Sequence, residues 1–500
     1  MRIAIIGSGV SGIAAAKTLK RFGHEIVLFE RSKSIGGVWA LAYPNVRLQN
    51  IADHYRFTDF DWPFKRDQHA TATDVLAYLN AAIAHFALDV RLEHKVTMLN
   101  ETADGWRVDL ETPDGTRSEE FGYVIVAAGH YTHEKAELTL PGREAFTGTV
   151  MTERDLRDPS IFKDKRVAVV GLGKSAVDMA IFAKRGGARQ VHQVFREARW
   201  LMPNKILGQD IALMSASRMS TMFEPAWVYP GTMTRLLHKY SPLGVKINSW
   251  ITDFLVRRQE GLNKRQPDAA ADARLKLINP RYPISRQLRG TLAPDGFFDA
   301  ITDGSIEPHL ASATGFSDKA LLLSDGSSIE ADLVMLAVGF KTPDLPFLPA
   351  SIRAAMAENP DGTQLYRHVI HPRMQRLAFA GFNHNPFHIP GVETASIWLG
   401  AMIAGDIVLP SADEMEASTH RVRDWKRKYT IFEPTRAYWV SNRFHNYLDT
   451  LLMELGVKPG RKSNPIAEFF APYEPTDYAG VFDEYQRAKG KPRRVLPLDT

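Results

Sequence analysis

Three kinds of residue in this chain are placed to do chemistry: glycines at phosphate-turn spacing, charged residues at the strand ends beyond them, and an asparagine in a polar loop. "IIGSGVSGIAAA" sets Gly7, Gly9 and Gly12 between an apolar run and a helical one. The first glycine permits a tight turn, the second lets the backbone approach a pyrophosphate, and the third lets helix and strand pack closely. The helix opening at Val10 and Ser11 turns unpaired amides and a positive dipole end toward the phosphates. Glu30 closes the next strand, where a carboxylate can accept hydrogen bonds from a ribose. Strand, turn, helix and acid together predict a bound dinucleotide.

The same spacing recurs in "RVAVVGLGKSAVDMA", with Gly171, Gly173 and Ala176 as the turn and Lys174 and Ser175 opening the helix. Here the following strand ends at Arg196, with Arg199 three residues on. A carboxylate there would repel a 2′-phosphate, whereas a guanidinium grips one through charge-assisted hydrogen bonds worth about 1.5–3 kcal/mol. The second site is therefore expected to take NADPH in preference to NADH. The plainer reading of Arg196 is a solvated strand-end arginine.

Composition narrows what these sites can do. The chain has no cysteine, which excludes disulfides, thiolate metal sites, a CxxC redox pair and a cysteine nucleophile. Redox chemistry must then be borrowed from a cofactor. Lys plus Arg number 62 against 57 Asp plus Glu, an excess spread along the chain, which suits phosphate-bearing small ligands and gives no case for nucleic acid. The opening strand "RIAIIG" follows no charged and apolar leader, and "ASIWLGAMIAG" is too short to span a bilayer. The expectation is a cytoplasmic protein without a transmembrane anchor.

The positioning elements are themselves duplicated. "GWRVDLETPDGTRSEEFGYVIVAAGH" alternates, turns at Asp114-Gly115, and ends in a buried strand at Gly129; "KALLLSDGSSIEADLVMLAVGF" does the same with Asp325-Gly326 and Gly339. Asp-Gly between alternating runs signals a hairpin. After Gly339 the strand of "QRLAFAGF" is expected to return to the first fold. The fold class is thus α/β, with two Rossmann-like domains, the second inserted in the first, and a helical insert. Its expected pieces are residues 1–148 with 340–410, 149–199 with 295–339, an insert at 200–294 shaping substrate access, and a C-terminal helical region and tail at 411–500. Five hundred residues accommodate this division. A cleft between two such sheets brings two dinucleotides together, a resident FAD and the NADPH that reduces it.

Several segments resemble the flavin-containing monooxygenase family. They are "FERSKSIGGVWA", "VRLQNIADHYRFTDFDWP", "VAVVGLGKSAVDMA", "LVMLAVGF" (Val338 standing where threonine is usual), "HPRMQRLAFAGF", "LPSADEM" and "AEFFAPYEPTDY". They resemble most the branch found in plants, which includes enzymes that N-hydroxylate pipecolic acid. The resemblance implies that NADPH reduces FAD and that reduced flavin with O2 forms a C4a-hydroperoxide, whose distal oxygen passes to a small molecule's amine nitrogen or sulfide sulfur. It also implies that NADP+ stays bound as a lid over that intermediate. Asn50 is implied as the catalytic residue, beside flavin and nicotinamide, with Gln49 next to it; read from the residues alone, Asn50 equally caps a loop. The implied FAD contacts are Gly7, Gly9, Val10, Ser11, Gly12, Glu30, Arg31, Gly37, Val38, Trp39, Gln49, Asn50, Val96 and Gly129. Those for NADPH are Gly171, Gly173, Lys174, Ser175, Ala176, Arg196, Arg199 and Gly339.

One departure stands out. The family's linker motif is present as "FTGTVMTERDL", where Phe146 and Gly148 fit but Thr152 replaces the histidine and Leu156 the aromatic. This keeps open a Baeyer–Villiger oxygenase acting on ketones, and a flavin-loaded NADPH-binding protein that does not oxygenate. His384 and His388 have i, i+4 spacing, but Pro386 between them argues against the helix a metal pair would need, and no metal is expected. The insert, with Met202, Met214, Met219, Met222, Trp227 and Trp250, reads as a packed helical cap; peripheral membrane contact is the alternative, and a homodimer is compatible. "RAKGKPRRVLPLDT" reads as a solvated tail.

Overall fold

The apolar run behind the first glycine turn forms β1 (Arg2–Ile6), buried from Ile3 onward, as a parallel strand covered on both faces must be. In the computed structural model it is followed by α1 (Val10–Lys20), β2 (Glu25–Phe29), α2 (Ala72–Phe86), β3 (Asp89–Arg91), an antiparallel meander of β4 (Lys95–Glu101), β5 (Trp106–Thr112) and β6 (Gly115–Phe121), and β7 (Tyr123–Val126). The second unit runs through β8 (Thr149–Met151), β9 (Arg166–Val170), α3 (Lys174–Arg185) and β10 (Gln190–Phe195). The insert carries β11 (Leu201–Met202), β12 (Lys205–Ile206), β13 (Gln209–Asp210), α4 (Ile211–Met214), α5 (Arg218–Thr221), α6 (Thr232–Tyr240), α7 (Pro242–Gln259), α8 (Ala269–Ile278) and β14 (Thr291–Leu292). After it come α9 (Phe297–Thr302), β15 (Glu307–Leu310), a second meander of β16 (Ala313–Phe316), β17 (Ala320–Leu323) and β18 (Ser328–Glu330), and β19 (Leu333–Leu336). The chain closes with α10 (Ala350–Ala357), β20 (Leu377–Phe379), α11 (His388–Ile403), β21 (Ile407–Val408), α12 (Ala412–Tyr429), α13 (Phe444–Leu455), α14 (Pro465–Phe470), α15 (Val481–Ala488) and β22 (Arg493–Arg494). The structure describes residues 1–129, 135–223, 232–240, 242–262, 268–287, 290–341, 344–357, 361–431 and 438–497; Trp227 lies outside them.

Two five-stranded sheets have the same plan. One is ordered β20-β7-β1-β2-β3, the other β8-β19-β9-β10-β15, and every neighbouring pair is parallel. The turns repeat to the hydrogen bond: Gly7 N donates to Phe29 O and Gly171 N to Val194 O, both at 2.8 Å. Since β20 joins the first sheet only after the whole second sheet is complete, one Rossmann unit interrupts the other.

The C-terminal helices complete the first unit rather than forming a layer of their own. Phe444, Leu448 and Leu451 of α13 and Trp398 of α11 share one core with Ile13 and Leu19 of α1. Beneath α1, buried Lys17 pairs with buried Glu393 of α11 and with Asp59 at 2.5 Å. Burial alone would lower the Lys17 pKa, but the two carboxylates outweigh it and raise it.

Three sequence-based expectations need correction. The tail is exposed from Lys489 to Arg494 as expected but is not free: β22 pairs with β21, Leu496 N donates to Glu454 Oε1 at 2.9 Å, and Arg367 donates to Leu496 O at 2.6 Å. Buried Glu454, already paired with Arg367, supplies the polar anchor that makes docking worthwhile. Within the insert, α8 buries Leu275 and Ile278 in the second unit's core with Phe297 and Ile301, so it belongs to that layer. The apolar row of α7 is not packed inward either. Leu243, Ile247, Trp250, Ile251 and Phe254 face out, Leu243 at 68% and Trp250 at 66% exposure. The polar side faces in, with Asp253 accepting from Ile284 N at 3.0 Å and Arg257 donating to Pro280 O at 2.8 Å. Hydrogen bonds to the 280s loop decide which face turns inward. Among the described residues no helix is long and apolar enough to cross a membrane.

Candidate active site

The first glycine turn is closed by contacts only glycine allows. Gly7 has φ +108°, and a Cβ there would lie 2.6 Å from Ala127 O; a Cβ on Gly12 would lie 2.0 Å from Gly7 O. The second turn has the same build, with Gly171 at φ +127° and a virtual Cβ 2.5 Å from Ala337 O. Gly9 faces Gly37 across a gap in which a Cβ on Gly37 would sit 3.4 Å from Gly9 Cα, and Gly173 has open space. Two helix N-termini, on α1 and α3, thus present free amides beside backbone stripped of side chains, which fits a dinucleotide pyrophosphate at each.

Around the first turn, Glu30 is buried, its Oε2 accepting from Ser8 N and Ser8 Oγ at 3.0 Å and its Oε1 from Ser32 N at 3.0 Å. This bonding fixes the carboxylate at the end of β2, beside exposed Arg31. Gly37, Val38 and Trp39 lie in a 3-10 turn over Gly37–Leu41, Val38 exposed and Trp39 Nε1 donating to Tyr55 OH at 2.9 Å. Gly129 (φ +74°) and Gly339 (φ +101°) end the closing strands of the two units in open space. Val96 departs from this grouping, because its side chain is buried in the core that also holds Phe29 and Val126.

At the second turn, Lys174 Nζ reaches Asp178 Oδ1 at 2.8 Å, and Ala176 is buried against the strand. Arg196 stands exposed one residue beyond β10, and Arg199 is half-buried. Asp178 Oδ2 in turn accepts from Tyr43 OH at 2.7 Å. Tyr43 follows the Trp39 turn in sequence yet packs in the second unit's core. Burial, with Asp178 second, raises its pKa well above the usual phenol value, and Ser175 also bonds to it. One tyrosine therefore ties the Trp39 turn to the helix of the second glycine turn. Sequence reasoning passed it over, since no local pattern marks it.

Asn50 is held from several sides. Its Oδ1 accepts from Ile51 N at 2.9 Å and its Nδ2 donates to Pro386 O at 2.6 Å. Asn50 O and Leu48 O each lie 3.1 Å from His69 Nδ1, and His69 Nε2 lies 3.2 Å from buried Asp210 of the insert. Gln49 Oε1 accepts from Leu292 N at 3.1 Å, also from the insert. Asn50 thus caps its own loop through Oδ1 and ties it to the segment at Pro386 through Nδ2. In the linker, Thr152 N and Oγ1 both donate to Asp155 Oδ2 at 2.8 Å, and Leu156 is buried in the second core. Helix α11 starts only at His388, after Pro386, and the His384 and His388 rings lie 5.2 Å apart. No group of three or more metal-ligating side chains forms among the described residues.

The profile of the FMO-like family, the flavin-binding monooxygenase-like proteins, matches residues 1–252 and 284–467. The chain belongs to this family. It is accordingly an FAD- and NADPH-dependent monooxygenase-type enzyme. It is similar to a probable flavin-containing monooxygenase 1 of Arabidopsis thaliana, 28% identical over 95% of this chain and 96% of the plant protein. Among solved structures, S-allyl-L-cysteine S-oxygenase from Allium sativum shares the fold with TM-score 0.62 at 20% identity, covering 97% of this chain and 98% of that one. An open form of cyclohexanone monooxygenase does so with TM-score 0.65 at 17% identity, covering 87% and 96%.

The flavoenzyme's interior holds several buried neutral histidines. Burial pushes His54 and His388 from 6.5 down to about 4, and His368 and His445 well below their ordinary value. These groups stay unprotonated in the folded chain while the unfolded chain takes up a proton at each near pH 6.5, so their share of stability is present above that pH and lost as pH falls toward about 4. The thermal unfolding midpoint is expected to fall steadily on acidification from about pH 7 to about pH 4.5. A midpoint flat across that window would contradict this assignment of neutral buried imidazoles.

Proposed function

We propose that this flavoenzyme oxygenates a soft nucleophile, the amine nitrogen or sulfide sulfur of a small molecule. One atom of O2 goes to the substrate and the other leaves as water, with two electrons supplied by NADPH. When bound, FAD supplies the O2 activation and oxygen transfer for which this cysteine-free chain has no side chain. The chain's own part is to hold, align and dry the site. Gly7, Gly9, Gly12 and the α1 N-terminus would take the flavin's pyrophosphate, with Glu30 at its ribose. The Gly171 turn would take that of NADPH, with Arg196 at the 2′-phosphate.

The observation that carries this reading is the Tyr43–Asp178 bond, which ties the segment after the Trp39 turn to the helix of the second glycine turn and so supports one shared site, with Asn50 held by Pro386. Held through Oδ1 and one Nδ2 hydrogen, Asn50 offers its other Nδ2 hydrogen in a fixed direction, the property a positioned donor needs. Likeness to the plant flavin-containing monooxygenase supports flavin-dependent oxygenation. A Baeyer–Villiger reaction on ketones is the second reading. It is favoured by Thr152, whose hydroxyl and amide are both spent on Asp155, so that the linker offers no imidazole there.

The outward row on α7, flanked by Lys239, Lys246 and Arg258, supports a further part of this reading: the enzyme rests on an anionic lipid surface, with the aromatic Trp250 and Tyr240 at the headgroup level. Trp250→Ser together with Ile247→Ser is expected to abolish co-sedimentation with phosphatidylserine vesicles without changing turnover of a water-soluble substrate. Wild-type protein that ignores such vesicles would remove the membrane from the account.

Purified enzyme with NADPH, O2 and a panel of amines, sulfides and ketones is expected to give N- or S-oxide in proportion to NADPH consumed. Ester from the ketones would replace that reading with the second, and hydrogen peroxide alone would leave a protein that does not oxygenate. Asn50→Ala is expected to keep its flavin and lose oxygenation; full product formation by that variant would take Asn50 out of the mechanism. Arg196→Ala is expected to weaken NADPH about ten- to hundred-fold while leaving NADH nearly untouched. Equal losses with both would show that the arginine does not read the phosphate.

A further inference from the structure

Residues 381–391, which follow the returning strand β20, are held in shape by their own side chains. Asn385 Oδ1 accepts from Phe387 N and Asn385 Nδ2 donates to Asn383 O, both at 2.7 Å. Asn383 Nδ2 donates to Gly391 O at 3.0 Å and to Tyr447 OH at 3.2 Å. The backbone of His384 accepts from Val440 N at 3.0 Å and Ser441 N at 3.1 Å. A segment so internally bonded is rigid enough to position what it touches.

It touches both ends of the flavin seat described above, on which this inference rests. Pro386 O fixes the Asn50 amide at 2.6 Å. Two residues on, His388 Nε2 lies 3.0 Å from Ser11 Oγ, in the first turn of α1. The contact is tight, because Gly381 (φ +84°) comes so close that a Cβ there would lie 2.3 Å from Ser11 Oγ. His388 is 9% exposed, and its Nδ1 is buried with no hydrogen-bond partner among the described residues.

The orphaned nitrogen determines which way the proton runs. A buried N–H without an acceptor is rarer and costlier than a buried bare lone pair, so the ring proton belongs on Nε2. Burial keeps the ring neutral. The His388 Nε2–H then donates to Ser11 Oγ, which leaves the serine's own proton to donate outward at the helix N-terminus. That is where a pyrophosphate oxygen accepts.

We propose that His388 is a positioning residue for the flavin dinucleotide: it orients the Ser11 hydroxyl as a donor to the pyrophosphate, and its segment holds Asn50 at the other end of the same ligand through Pro386. No glycine-turn pattern includes His388, which lies far along the chain from Ser11.

The test is titration of full-length, deflavinated protein with FAD, followed by flavin fluorescence, in a double-substitution cycle. Ser11→Ala and His388→Leu are each expected to weaken FAD about ten-fold, the double variant no more than either alone, and His388→Gln, which keeps an amide donor, to recover most of the loss. A purely structural histidine would instead give losses that add with those of Ser11→Ala. Additive losses overturn the proposal, as does wild-type FAD affinity in Ser11→Ala, a variant that loses only a hydroxyl and remains informative if His388→Leu does not fold. Wild-type protein that fails to bind FAD at all would sink the flavin reading itself, whereas wild-type binding with unchanged variants would sink only the role given to His388.

Discussion

A phosphate can be gripped by main-chain amides only where backbone approaches backbone more closely than any side chain permits, and the architecture follows from meeting that constraint twice. The absent Cβ atoms of Gly7 and Gly12 let a carbonyl of β7's continuation and the turn itself occupy the space, and Gly171 does the same in the second unit. Once a strand, a glycine turn and a helix are locked this way, the neighbouring strands have little choice. β2 and β7 flank β1 in the first sheet, as β10 and β19 flank β9 in the second. The duplication is therefore a matter of geometry as well as of sequence, since the same hydrogen bonds recur at the same positions.

Two such grips in separate lobes would not make an oxygenating enzyme unless their ligands met. The chain secures the meeting by topology and by a few polar ties. Insertion of the second unit between β7 and β20 makes two covalent crossings, and Tyr43 adds a buried hydrogen bond from the Trp39 turn to Asp178 of α3. The insert contributes from the other side through Asp210 on His69 and Leu292 N on Gln49, both adjoining Asn50. Asn50 is thus set by the first unit, the insert and the returning segment together, which fixes a polar loop in place.

What the sequence discloses and what it hides divide along physical lines. Glycine turns and Asp-Gly hairpins are legible because the conformation each requires is written in residue type within a few positions, as at Gly7, Gly115 and Gly326. Glu30 and Arg196 are legible because strand ends follow at a fixed distance from the turn. Tyr43, His69 and His388 are not, because each acts on a residue from a distant part of the chain or another domain, and periodicity carries no such information. The stripe on α7 shows the limit from another direction. Its spacing announces a helix with one apolar face, but only the bonds of Asp253 and Arg257 to the 280s loop reveal that this face points outward. The tail is read only in part for a similar reason: its basic residues are exposed as their type suggests, but nothing local announces that buried Glu454 accepts Leu496 N.

The linker substitution takes on a definite meaning in this setting. Thr152, where the linker motif implied by the resemblance has histidine, spends both donors on Asp155 within one tight turn. Leu156 meanwhile buries itself in the core of the second unit, where an aromatic ring would need more room. The segment is thus a self-satisfied piece of scaffold. The fixed polar contacts gather elsewhere, at the Asn50 amide, the carbonyl of Pro386 and the His388–Ser11 pair. The self-bonded stretch from Asn383 to Gly391 gives these contacts a stiff support, since each of its bonds restrains the next.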